Sequence, residues 1–182
     1  MIHGSDVPRS KLFNQFWSVN RYHRSLNYPL SRKGFSVGYH RFITGGKNYL
    51  CREDNEMGAH CNTVRNGQTM NLQSLGVCVG GDYDDVYMYS DHFKLLQEQV
   101  LTWQDYWKIP DERVVFHRHF NENKTCPGTL LDEAFLKRLL TKKDPVKTLE
   151  ETDKQKLLLK QLTLLQKLRD ILLRLLSSLY KK

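Results

Sequence analysis

The sequence predicts an α/β domain, a mixed central β-sheet flanked by helices, followed by a C-terminal amphipathic helix. Two observations carry the domain. Short runs rich in β-branched and aromatic residues alternate with longer runs whose apolar residues recur at helical spacing, and strands interleaved with helices build layered α/β domains. A third observation carries the appended helix: beyond Leu140 the chain turns polar, passes Pro145 and enters a leucine-rich stretch. At 182 residues there is room for one core and an extension, since a domain of roughly 150 residues buries about two-thirds of its unfolded surface.

The elements follow in order. "SKLFNQFWSVNRYHR" sets Leu12, Phe13, Phe16, Val19 and Tyr22 at helical spacing behind Ser10 as a cap, predicting an amphipathic helix over residues 10–24. After a Pro-containing loop, "FSVGYHRFIT" from Phe35 alternates and is rich in β-formers. "KNYLCRE" resumes after Gly45-Gly46, and "QSLGVCVGG" is a mostly apolar run bounded by glycines. These three predict strands of one sheet. "SDHFKLLQEQVLTWQDYWKIP" offers Ser90 or Asp91 as N-cap, spaces Phe93, Leu96, Val100 and Trp103 along one face, and meets Pro110 beyond its end, predicting a helix. "ERVVFHRH" predicts a further strand and "LLDEAFLKRLL" a closing helix. The domain therefore spans residues 1–141, a linker residues 142–149, and a second helix residues 150–182, with Thr148 and Glu151 forming a capping box.

Charge and cysteine usage narrow the function classes. The net charge of +8 is concentrated at the end of the chain. Lys154 to Lys182 holds eight basic residues against Asp170 alone, a net +7, so residues 1–153 carry only +1. The main body thus lacks the basic surface that nucleic-acid binding needs, and no nucleic-acid partner is expected. No apolar run is long enough to cross a bilayer, and "MIHGSDVPRS" lacks the basic start and apolar stretch of a secretory signal, so the chain is expected either to be made in the cytoplasm without a signal peptide or to be already processed. Four cysteines, Cys51, Cys61, Cys78 and Cys126, are too few and too irregular for a disulfide scaffold and are expected mostly as free thiols. Cys78, in "LGVCVGG", reads as a buried strand residue; Cys126 has lysine, threonine, proline and glycine around it instead.

"VVFHRHFNENKTCPG", residues 114–128, concentrates ligand-type side chains. Zinc accepts imidazole nitrogen and thiolate sulfur, and a catalytic zinc keeps three protein ligands and one open position. His117 and Cys126 are far enough apart for the intervening loop to fold back and offer both to one ion, but a third ligand is required. "VGYHRFI", "MGAHCN", "SLGVCVGGDYDD" and "VVFHRHFNENKTCPG", in this order, resemble the zinc-dependent N-acetylmuramoyl-L-alanine amidases, the type 2 amidase family shared by phage endolysins and peptidoglycan recognition proteins. The resemblance runs from about His3 to Leu140.

The resemblance implies the amidase/peptidoglycan recognition fold, one Zn2+ ion, and a site. His3 in "MIHGSD", His117 of the "HR" pair and Cys126 of "CPG" match the metal ligands. Tyr39 matches a tyrosine that contacts the zinc-bound water, Lys124 a lysine that stabilises the oxyanion, and His60 a cleft histidine that touches substrate. Taken alone, Tyr39 reads as a strand tyrosine and Lys124 as a solvated loop lysine. Three positions depart from the pattern. His3 sits near the chain start, one extra residue separates His117 from Cys126 and leaves His119 as an alternative ligand, and Arg41 stands where the family usually has an apolar residue. The implied activity is that of a bacteriolytic endolysin: hydrolysis of the amide between N-acetylmuramic acid and the stem peptide's L-alanine by a zinc-activated water. The implied partner is bacterial peptidoglycan in the cell wall, reached after release or holin-type export. The alternative is a recognition domain that binds peptidoglycan without cutting it, with a membrane-active or oligomerising tail; Cys126 favours the enzyme, because non-hydrolysing members commonly lack that ligand.

In the tail, Leu158, Leu165, Leu172 and Leu179 recur every seven residues, as do Lys160, Lys167, Arg174 and Lys181. At 100° per residue the two rows lie about 200° apart, opposing an apolar face to a basic one. Such a helix packs on protein, including its own copies in a homo-oligomer, or lies on anionic envelope lipids, the antimicrobial reading; disorder is the third option.

Overall fold

The computed structural model describes residues 1–5 and 15–141, together with Gln161 and Arg169. Apart from those two positions, the predicted linker and C-terminal helix lie outside the described residues, as do Ser10, Leu12 and Phe13 of the first predicted helix. Met1–Thr141 forms one compact unit.

Its centre is a four-stranded sheet in the order β1-β6-β2-β3, built from β1 (Ile2–Gly4), β2 (Arg41–Thr44), β3 (Lys47–Leu50) and β6 (Val77–Val79). β6 runs parallel to both β1 and β2, while β3 returns antiparallel to β2 through Gly45-Gly46, so the sheet is mixed as predicted. A two-stranded ribbon of β4 (Val64–Arg65) and β5 (Gln68–Thr69) leads into the short α2 (Met70–Gln73). Three longer helices flank the sheet: α1 (Gln15–Ser25), α3 (Ser90–Trp107) and α4 (Glu133–Leu140). Among the described residues no helix is long and apolar enough to cross a membrane.

Alternation along the strands divides the core, because successive side chains point to opposite faces. Ile2, Val77, Val79 and Ile43 join Leu96, Val100 and Trp103 of α3 and Phe135 and Leu139 of α4 in the larger cluster. Phe42 and Cys78 pack instead with Phe16 of α1, Val37 and Cys51. In register, His3 pairs with Cys78 and Cys78 with Phe42, so His3 ends this second row. One strand residue thus brings an imidazole to the α1 side of the sheet.

Four expectations need correction. "ERVVFHRH" forms no strand: only Phe116 bridges to Ile2, between 3-10 turns at Asp111–Arg113 and His117–Phe120. β1 is three residues long, and the turns take up the amides on either side, Val114 N–H bonding to the Asp111 carbonyl and His119 N–H to that of Phe116. "FSVGYHRFIT" is a strand only from Arg41, because the amides of Ser36 and Gly38 are claimed by the side chains of Asn20 (2.7 Å) and His23 (3.1 Å). Those two side chains also turn α1: its buried face is Gln15, Phe16, Asn20 and His23, and Tyr22 is 61% exposed. Finally, the N-cap of α3 is Tyr89, with Ser90 already helical and Asp91 in the first turn. Arg41 has a structural explanation: its guanidinium bonds the Asp54 carboxylate at 2.8 Å and lies 5.4 Å from the Trp103 ring centre.

Two histidines outside the predicted metal set give the fold a pH dependence. His40 Nδ1 accepts the Gly76 amide at 3.0 Å and its Nε2 donates to the Glu56 carbonyl at 2.9 Å. Burial pulls its pKa down from 6.5 to about 4. His23 is held at about 4 as well, by burial and then by the Arg52 guanidinium. A pKa lowered on folding means that the unfolded chain binds the proton first. The stability is therefore complete above pH 6.5 and is lost as pH falls from 6.5 towards 4, about 3 kcal/mol for His40. The urea midpoint of the protein is expected to drop across this window, and His23→Gln, which keeps an acceptor for the Gly38 amide, to flatten the drop. A midpoint independent of pH from 7 to 4.5 is the contrary result.

Candidate metal centre

His3 lies on β1, which is one of the two edge strands of the sheet and is 1% exposed at this residue. The following Gly4 admits a second segment. A Cβ there would stand 2.4 Å from the Pro127 carbonyl oxygen, so only glycine lets the Cys126-Pro127-Gly128 turn lie against β1. Gly128 has φ +133°, and a Cβ there would meet the Tyr83 backbone at 2.4 Å. Gly4→Ala is expected to push this turn outward and weaken binding of any metal held there by about tenfold or more, as disturbing a residue that orients a ligand does. Chelator competition measures this, and unchanged retention would contradict the packing argument.

The loop carrying Cys126 is clamped from within. The Arg118 amide donates to the Cys126 carbonyl at 2.9 Å, and its guanidinium donates to the carbonyls of Gly128 (2.9 Å) and Leu131 (2.5 Å) while lying over Phe116. On the opposite side Asp84 accepts from the Thr125 hydroxyl and the Thr129 amide, both at 2.7 Å. These bonds and the Arg118 guanidinium hold the Asp84 carboxyl below its ordinary pKa, the Thr125 bond being the largest cause.

The result is a convergence of three side chains that lie up to 123 residues apart. His3, His117 and Cys126 each offer one ligand atom, and these atoms lie within 4.8 Å of one another. His3 Nδ1 is 3.8 Å from Cys126 Sγ, and the rings of His3 and His117 are 4.5 Å apart at their centres. Two imidazoles and one thiolate are borderline-soft donors that suit zinc, and three protein ligands leave a fourth position open. Tetrahedral zinc, with bonds of about 2.0 Å to nitrogen and 2.3 Å to sulfur, holds those two atoms about 3.5 Å apart, close to the separation seen. The residues fit the ion.

The electrostatics agree. Burial holds His3 well below its ordinary pKa, with His60, His117 and the chain N-terminus adding to the effect. Burial and then Lys124 lower His117. Both rings are therefore neutral at pH 7, the form that binds metal.

The other predicted residues gather around this group, with one exception. The Tyr39 ring is 5.0 Å from that of His3, on the loop entering β2 rather than on a strand. Burial first, then Cys78 and Cys126, raise its pKa well above 10, so its phenol keeps the proton. Lys124 lines the same cleft and is exposed. His60 also lines it, yet both ring nitrogens face protein: Nδ1 is 3.1 Å from His3 Nε2 and Nε2 is 3.2 Å from the Ser74 carbonyl. Burial takes its pKa to about 3. The exception is His119, whose ring packs on Phe116 and whose Nε2 is 3.6 Å from Glu133; it is not in the ligand group.

The cleft holding the trio has a volume of about 380 Å³. One wall is Tyr22, His23 and Tyr28, with the last two rings stacked at 4.6 Å, and the other is Asp82, Tyr83 and Asp84. Sequence reasoning missed both walls, since α1 is rotated relative to its apolar pattern and "GGDYDD" carries no periodic signal. Concavities of about 700 and 610 Å³ lie elsewhere, beside α4 and beside Trp103 and Trp107, and the ligand trio lines neither.

Comparison with known proteins places this geometry. The family model described as N-acetylmuramoyl-L-alanine amidase matches residues 2–129. No curated protein sequence matches the chain. Among solved structures, the fold is similar to the N-acetylmuramoyl-L-alanine amidase LysC from Clostridium intestinale, with 18% identity, 78% of this chain and 83% of that one covered, and a TM-score of 0.57. It is similar to the Ph2119 endolysin of a Thermus scotoductus bacteriophage at 20% identity, 78% and 82% coverage and a TM-score of 0.54. Drosophila PGRP-LB is 22% identical over 71% of this chain and 74% of its own, with a TM-score of 0.56. With a family match that spans most of the compact unit, the chain belongs to the N-acetylmuramoyl-L-alanine amidase family.

Proposed function

We propose that this chain is a zinc-dependent peptidoglycan hydrolase of endolysin type that cleaves the amide between N-acetylmuramic acid and the L-alanine of the stem peptide. The observation that carries the proposal is the meeting of His3, His117 and Cys126 in an open cleft within the matched region. Endolysins and an amidase among the structural neighbours support the same reading.

Hydrolysis adds water across the amide C–N bond, leaving a carboxylate on the lactyl group and freeing the alanine amine. His3, His117 and Cys126 would hold the zinc, which when bound would supply Lewis acidity and lower the pKa of water towards about 7. The chain's own residues supply the rest. The Tyr39 phenol, whose ring lies 5.0 Å from that of His3, orients the attacking water or takes its proton. The Lys124 ammonium complements the negative charge that builds on the carbonyl oxygen.

The test is digestion of purified muropeptides followed by mass spectrometry, with the expected products a free lactyl carboxylate and a peptide beginning with alanine. Similarity to insect peptidoglycan recognition proteins supports a second reading, binding without cleavage. Retention on insoluble peptidoglycan with no released peptide would select it.

For the tail, we propose a cationic amphipathic helix over residues 150–182, joined by a linker at 142–149, that engages anionic envelope lipids; its opposed leucine and basic rows support this. Deleting residues 150–182 is expected to remove binding to anionic vesicles. A fall in solution mass instead, with vesicle binding intact, selects self-association.

A further inference from the structure

Behind the ligand trio, three polar groups form a line whose polarity is set at one end. The Ser74 carbonyl can only accept, so the His60 Nε2 at 3.2 Å carries the ring proton. A neutral imidazole has only one such proton, so His60 Nδ1 is bare. It stands 3.1 Å from His3 Nε2, which must then donate. With its proton committed there, His3 presents a lone pair at Nδ1, the atom 3.8 Å from Cys126 Sγ.

We infer that His60 is a positioning residue that locks the His3 ring, fixing Nδ1 as the atom offered to the metal and increasing its donor strength through the Ser74–His60–His3 chain. The inference rests on the proposed reading of the trio as a zinc centre and gives His60 a role other than contact with substrate.

A second, independent feature holds His60 in line. The ring lies in a slot made by two residues without side chains. A Cβ at Gly58 would stand 2.4 Å from its Cδ2, and a Cβ at Gly76 would stand 2.7 Å from the same atom. The residue's backbone is fixed as well, since Asn71 Oδ1 accepts the amides of His60 and Cys61, both at 2.6 Å. A ring packed this closely against two glycines has little room to turn, which favours one direction for its two hydrogen bonds. Imidazole ligands are commonly oriented by a carboxylate, carbonyl or water on their second nitrogen; here a neutral histidine takes that place and passes the demand back to a backbone carbonyl.

The chemistry of the relay dictates its test. Glutamine at position 60 can reproduce both contacts, its amide NH2 donating to Ser74 and its oxygen accepting from His3. Phenylalanine keeps a flat ring for the slot and can make neither bond. Zinc affinity, measured by chelator competition, is expected to fall about 10- to 100-fold in His60→Phe and to stay near the parent value in His60→Gln. A residue that only filled space would give the opposite order. In the metal-free parent protein, ¹⁵N NMR is expected to show a through-hydrogen-bond coupling between His3 Nε2 and His60 Nδ1.

Absence of that coupling, or parental zinc affinity in a folded His60→Phe, overturns the inference. The coupling is read on the parent protein, so a variant that fails to fold leaves the test intact. If the parent protein bound no zinc, the proposed function would fall while the coupling still decided the role of His60.

Discussion

Cys126→Ala is expected to abolish zinc retention and wall lysis together while leaving the fold intact. The sulfur is the only soft donor of the trio, and removing it leaves two neutral imidazoles whose ion has lost a third of its protein ligands. The loss should exceed the roughly 10- to 100-fold cost of disturbing a residue that merely orients a ligand. The polypeptide around it should hold, because the loop is fastened by the Arg118 guanidinium and by Asp84 rather than by the thiol. Metal analysis of purified protein should therefore return about one zinc per chain for the parent and almost none for the variant, with equal far-UV spectra. Chelation of the parent should reproduce the variant's loss, and added zinc should reverse it. A Cys126→Ala protein that still lysed walls at the parent rate would remove the cysteine from the centre, and the hydrolase proposal with it.

The part of this architecture that sequence foretold is the part governed by local rules. α3 and α4 are amphipathic over enough turns for the apolar face to be read directly, and the glycine pair before Lys47 marks a hairpin. Val114 to Phe116 shows where such rules stop. The residues are apolar and two of them are buried, yet strand formation needs a run of paired residues, and the 3-10 turns at Asp111–Arg113 and His117–Phe120 leave only Phe116 to bridge to Ile2. Tyr22 fails for a related reason: the buried face of α1 is chosen by Asn20 and His23, whose side chains satisfy loop amides from another part of the chain.

For the site, spacing only made His117 and Cys126 candidates for one ion, and resemblance to a family selected them and supplied His3. The bond from His60 to His3 was beyond either route, since it depends on Gly58 and Gly76 leaving a slot between segments that only the fold brings together. Residue type indicated which side chains could do chemistry; the direction each nitrogen faces came from long-range packing.

Lys124 separates binding the metal from using it. Its side chain is exposed in the cleft, on a loop whose backbone is pinned by the bond from its own amide to the Asn121 carbonyl at 3.0 Å. Its positive charge already reaches the centre, being the second cause, after burial, of the lowered pKa of His117. That charge opposes cation binding slightly, so the lysine is not there to hold zinc. It can help only when negative charge appears, which happens as water adds to the amide carbonyl. Lys124→Met should accordingly lower kcat by about 10²- to 10³-fold, the usual cost of losing one donor to a developing oxyanion. KM should change little, because the interaction is made in the transition state and not in the bound substrate. Zinc retention should be equal to the parent's or slightly better. Steady-state hydrolysis of a defined muropeptide, with zinc content measured on the same samples, separates these terms. A variant that lost zinc in proportion to activity would make Lys124 a support for the loop, and the charge complement would have to come from elsewhere in the cleft.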